Sequence, residues 1–114
     1  MGDRHMLDNE ARILISSIAG SFMVQESWSR AWRLYLRYLQ LRGLLPEQMK
    51  DTPLHTLGPF VQFCIRNEIG AATIANVLAA IRACLRQAGV DPATIPSNRK
   101  LAVPRRDRAR KPRP

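Results

Sequence analysis

Apolar residues recur every three or four positions in four separate stretches of this chain, and nowhere do they alternate over a long run. That period matches one face of an α-helix. The chain also lacks Asn-Gly and Asp-Gly hairpin turns, so no strands are expected. The pattern predicts an all-α fold: a compact bundle of four to five helices with a basic, mostly irregular C-terminal tail.

The first stretch predicts a helix over 8–23, capped by Asp8, with Ile13, Leu14, Ile18 and Phe22 on its apolar side. Gly20 weakens its last turn by about 1 kcal/mol relative to alanine. A second helix is expected over 27–41, with Ser27 as N-cap and with Gly43 and Pro46 ending it. Its stripe is Trp28, Trp32, Tyr35 and Leu39, widened by Ala31, Leu36 and Tyr38. Aromatic residues at this period form core rather than a stacking platform for bases. A loop over 46–53 leads to a third helix at 56–67, capped by Thr56, tolerating Pro59 in its first turn and ended by Gly70. The fourth covers 72–88, with Ile74, Val77, Leu78, Ile81 and Leu85 inward and Gly89 just past its end.

These boundaries divide the 114 residues into three parts. Residues 1–6 read MGDRHM and resemble an expression-vector remnant. Residues 7–98 form the helical domain, long enough to fold without staples. Residues 99–114 form a basic tail, broken by Pro104, Pro112 and Pro114 and without an apolar side chain larger than alanine after position 104; the stretch 105–114 is expected to be disordered on its own. Cys64 and Cys84 sit in apolar helical patterns and read as buried free thiols of an intracellular protein. No run of 18 apolar residues offers a membrane span.

Catalytic chemistry has no foothold in the sequence. Apart from His5, the only histidine is His55, with no cysteine near it in sequence, so no zinc site and no other cofactor is expected. No glycine-rich phosphate loop appears, and Ser16 and Ser17 lack a histidine base. The chain by itself is expected not to be an enzyme and to take no small-molecule substrate.

Charge is the informative quantity. Residues 99–114 hold eight Lys or Arg against Asp107 alone, carrying +7 of the net +9. Such a concentration points to a polyanion, and for a protein without a membrane span that is nucleic acid. Two helical ridges could join it. Arg30, Arg33 and Arg37 repeat opposite the aromatic stripe with no acidic partner at i+4. Asn76, Arg82 and Arg86 stand on the far side of the fourth helix, and both residue types make bidentate contacts to base edges. With Arg99, Lys100, Arg105 and Arg106 these are the candidate DNA-binding residues. The competing expectations are a helical protein-interaction domain, with the tail serving an acidic partner or solubility, and a helix-turn-helix regulator.

The segment Ser27-Trp-Ser-Arg-Ala-Trp-Arg-Leu-Tyr-Leu-Arg-Tyr-Leu39, a glycine stop, a short helix, and then Ile69-Gly-Ala-Ala-Thr-Ile-Ala-Asn-Val-Leu-Ala-Ala-Ile-Arg82 with Gly89 before a proline and a basic linker resemble the N-terminal core-binding (SAM-like) domain of the tyrosine recombinase, or phage integrase, family. The resemblance covers about residues 8–106. It implies one half of a clamp on double-stranded DNA, with Arg30, Arg33, Arg37, Asn76, Arg82 and Arg86 facing the major groove and 99–106 running along the phosphates. It further implies that the catalytic residues belong to a separate domain, so that neither Tyr35 nor Tyr38 is a nucleophile. Assembly as a homo-oligomer on DNA and a cytoplasmic, nucleoid-associated setting in a bacterium or phage follow from the same likeness. The long first helix departs from the family pattern.

Overall fold

The computed structural model describes residues 2–104, and every regular element within them is helical. Helix α1 covers Arg4–Ile18, α2 Phe22–Leu41, α3 Leu57–Arg66 and α4 Ala71–Gln87, with short 3₁₀ turns at Met49–Asp51, Leu54–Thr56 and Pro92–Thr94.

The break between the first two helices lies earlier than the sequence suggests. Ala19 and Ser21 are extended around Gly20, and the Ser21 side chain accepts from the Val24 backbone N–H at 3.2 Å. Ser21, not Ser27, is therefore the N-cap of α2, since nothing between Phe22 and Trp28 interrupts helical backbone. Phe22 belongs to α2 and is 74% exposed, and Ile13 is 64% exposed; neither reaches the core. At the other end Asp3, not Asp8, caps α1 by accepting from the His5 N–H. The hexapeptide read as a remnant thus supplies the first turn of α1. Gly2 N–H also donates to the Leu45 carbonyl, and Arg4 donates to Gln40.

Two further caps differ. Thr56 makes no capping bond to α3. Its hydroxyl, buried, donates to the Pro53 carbonyl at 2.7 Å and accepts from Tyr35 Oη at 2.8 Å, tying α2 to the entry of α3. The left-handed residue that ends α3 is Glu68, at φ 60°, while Gly70 is the extended N-cap of α4. Gly43 and Gly89 take positive φ after α2 and α4, as their positions predict.

α2 is the central helix, packed against α1 on one side and α4 on another. Trp32, Tyr35, Leu36 and Leu39 meet Ile74, Leu78, Ile81 and Leu85 in one core, all nearly inaccessible to solvent. α3 joins through aromatic contacts: Phe60 lies 4.9 Å from Tyr35 and 5.4 Å from Tyr38, and Phe63 5.1 Å from Tyr38, all tilted. Tilted rings at these separations add to simple burial. Burial pushes both the Cys64 and Cys84 thiols up to about 11, Cys84 less freely because the Trp32 indole N–H, otherwise without an acceptor, opposes the shift. Both cysteines are buried and free. Among the described residues no helix is long and apolar enough to cross a membrane.

Candidate nucleic-acid interface

The α2 ridge has the exposure its spacing implies at two of its three positions. Arg30 and Arg37 are exposed, whereas Arg33 is half-buried. Arg33 leans toward α1 and lines two grooves at the α1–α2 seam. One holds Arg12, Phe22 and Glu26, the other Arg4, Asp8 and Gln40. The ridge is therefore one edge of a wider α1–α2 surface that also presents Arg4 and Arg12.

On α4, Asn76 and Arg86 are exposed. They occupy the side of the helix away from Ile74, Leu78 and Ile81, as Arg30 and Arg37 occupy the side of α2 away from Tyr35 and Leu39. Two helices that pack through their apolar stripes turn their polar faces apart. Packing through the apolar stripes does not by itself bring the two ridges onto one DNA-facing surface.

Arg82 differs from its neighbours. Its Nε donates to the Pro96 carbonyl at 3.1 Å, and its Nη2 is buried with no hydrogen-bond partner. Burial lowers its pKa, and the nearby Arg86 charge lowers it further. The spacing places Arg82 among groove-facing cations; the tertiary structure makes it the anchor of the C-terminal segment. The mechanism is geometric, because α4 ends at Gly89 and the chain doubles back over its last turns.

The described part of that returning segment runs to Pro104. The Asp91 carboxylate accepts from Ala93 N–H and starts the Pro92–Thr94 turn. After Pro96 the chain makes one helical turn: Ser97 Oγ accepts from Lys100 N–H, and Leu101 N–H donates to the Ser97 carbonyl at 3.0 Å. Ala102, at φ 55°, reverses the chain, and Val103 N–H donates to the Asn98 carbonyl at 3.1 Å. Leu101 is buried, so the turn is seated on the core. Residues 99 and 100 form no regular helix, as expected, and Arg99 and Lys100 stand exposed on the hydrogen-bonded turn. Arg105 and Arg106, and the disorder expected over 105–114, lie outside the described residues.

Arg82 links α4, which carries the exposed Arg86, to the segment that carries the exposed Arg99 and Lys100. Beside them an open cleft of about 440 Å³ is lined by Leu54, His55, Thr94, Pro96, Ser97 and Lys100. Of its polar residues, Lys100 is among the candidate DNA-binding residues of the sequence, whereas His55, Thr94 and Ser97 are not. Their only local signal is Ser97 three residues before Lys100 in a stretch bounded by prolines, which reads as a turn rather than a site. No group of three or more His, Cys, Asp or Glu able to hold a metal occurs among the described residues.

Comparisons of the chain with family models, with curated proteins and with solved structures find no match.

Proposed function

We propose that this chain is a duplex-DNA-binding module, of the kind represented by the core-binding half of a tyrosine recombinase, acting in the cytoplasm on bacterial or phage DNA. One observation carries the reading: most of the net charge lies in residues 99–114, whose first two cations, Arg99 and Lys100, are exposed on a segment tied to α4 by the Arg82–Pro96 hydrogen bond. Lysines and arginines on one continuous track neutralise successive phosphates and release their counterions, which is the dominant source of affinity for DNA. Phosphate contacts set position, and a few side chains such as Asn76 on α4 would add base readout. The chemistry of strand exchange would belong to another domain, with this module gripping DNA within a homo-oligomer.

A helix-turn-helix arrangement has the right connection length, since α3 and α4 are joined by residues 67–70. A recognition helix reads bases with its N-terminal residues, whereas the cations of α4 are at its C-terminal end, Arg82 and Arg86. That position favours backbone contact. A protein-interaction role is favoured by a different observation: Phe22 and Met23 are 74% and 79% exposed at the α1–α2 junction, and an exposed apolar cluster marks a contact surface.

Salt-titrated fluorescence anisotropy on a duplex separates these readings. The full chain should bind at low salt with a steep dependence of log K on log salt. Truncation after Pro104 removes six cations and should make that slope shallower by up to about 5. No binding by the full chain at low salt would exclude the DNA reading and leave the protein-interaction surface.

A further inference from the structure

We propose that the cleft between the Leu54–Thr56 turn and the 92–100 segment is a phosphate-binding site, seating one phosphodiester of the DNA backbone. The assignment deepens the DNA-binding reading and rests on it for the carrier of the phosphate. The cleft itself is argued from the side chains around it.

Three groups facing the cleft can donate to an anion. Lys100 brings an ammonium with three N–H donors and His55 an imidazole, and neither makes a side-chain hydrogen bond elsewhere among the described residues. Ser97 Oγ accepts from the Lys100 backbone N–H, which leaves its own proton available to a ligand. Thr94 is different: its hydroxyl donates to the Asp91 carbonyl at 2.7 Å, so its one donor is already engaged. No acidic side chain is among the described lining residues, and Asp91 is held away by its bond to Ala93 N–H. A cleft with cationic and hydroxyl donors and no carboxylate favours an anion over a metal or an amine.

Arg82 supplies the second argument. Its guanidinium sits behind Pro96, which forms a wall of the cleft, and donates to the Pro96 carbonyl. It has no carboxylate partner, and Nη2 is buried without an acceptor. A partly buried charge with no counter-charge is unfavourable, and an anion on the other side of that wall would offset it. The same guanidinium holds the Pro96 wall in place before the ligand arrives. Phosphate, with its several acceptor oxygens, suits a cleft lined by three potential donors from two segments. The cleft also exceeds the size of one phosphate and leaves room for the flanking sugars of a strand.

The test uses the full chain and inorganic phosphate, followed by amide and side-chain NMR at constant ionic strength against sodium chloride. Saturable shifts at His55, Ser97 and Lys100 are expected, lost in Lys100→Gln and retained in Arg99→Gln, which removes the same charge from the same turn. On duplex DNA, Lys100→Gln should weaken binding at least threefold more than Arg99→Gln. Linear, chloride-like shifts, or saturation that survives Lys100→Gln, would overturn the cleft. Saturable phosphate binding without any duplex binding by the wild-type chain would uphold the cleft and overturn DNA as its carrier.

Discussion

Replacing Arg82 by alanine separates a structural cation from a DNA-contacting one. The Nε bond to the Pro96 carbonyl is charge-assisted, and such a bond is worth about 1.5–3 kcal/mol. Against it stands the buried, unpartnered Nη2, which costs about 1–3 kcal/mol. Solvent around the rest of the guanidinium reduces both figures. The two nearly cancel, so Arg82→Ala should change global stability by no more than about 1 kcal/mol, a shift in Tm of about 4–8 °C at most. The local effect should be larger. With its anchor gone, the 96–103 turn should open more often, and hydrogen exchange should speed up at the Leu101 and Val103 amides, which bond to Ser97 and Asn98. Arg86→Ala, one turn further on, should leave both the melting temperature and those amides unchanged and lower the salt slope of duplex binding by about 0.9. If Arg82→Ala instead left Leu101 and Val103 as protected as before and lowered the salt slope as Arg86→Ala does, Arg82 would be a free DNA-facing cation and the anchoring argument would be wrong.

Removing equal charge from the two sides of the bundle should give unequal results. Arg86, Arg99 and Lys100 changed together to glutamine should flatten the salt slope by about 0.9 per cation, whereas Arg30, Arg33 and Arg37 changed together should leave it within error, both read by anisotropy on the same duplex. Tyr35→Phe removes the donor to Thr56 Oγ1 and should cost about 1 kcal/mol; with Thr56→Val it should show coupling in a double-mutant cycle, measured by urea unfolding, because the two hydroxyls share one bond. Phe60→Ala deletes the ring that touches both Tyr35 and Tyr38 and should cost about 3–5 kcal/mol in the same assay. The thiols provide a pH test. Burial raises Cys64 and Cys84 from about 9 to about 11, so the folded state holds these protons more firmly than the unfolded chain. Their contribution to stability is complete below pH 9 and disappears as pH rises through 11. Urea midpoints should therefore fall across that window, and at pH 8 both thiols should resist a disulfide reagent until the protein is unfolded.

The helical class of the protein was readable from the period of its apolar residues. Trp32, Tyr35, Leu36 and Leu39 on α2, and Ile74, Leu78, Ile81 and Leu85 on α4, are buried as their spacing requires, because on a helix spacing alone decides which residues share a face. The stops at Gly43 and Gly89 were readable for a similar local reason: a positive φ favours glycine. Caps were less so. Serine, threonine and aspartate occur at several places near each helix start, and which of them caps depends on where the preceding chain arrives. Ser21 prevailed over Ser27, Asp3 over Asp8, and Thr56 turned to Tyr35 instead of capping α3.

By itself, the order of residues determined the helical class, the inward faces of α2 and α4 and the concentration of charge toward the C-terminus, but not the inward face of α1, where Leu7, Ala11 and Ile15 are buried and Ile13 is not. It could not determine which cations share a side, since that depends on how whole helices are rotated about one another and where the chain goes after Gly89. Packing α2 against α4 through their apolar stripes left Arg30 and Arg37 on α2 and Asn76 and Arg86 on α4 exposed, on helix faces turned away from the shared core. Folding the 91–103 segment back over α4 turned Arg82 inward and brought Ser97 and Lys100 beside His55, 42 and 45 positions away in sequence. Contacts at that separation arise from the shape of the assembled core, and no local pattern encodes them.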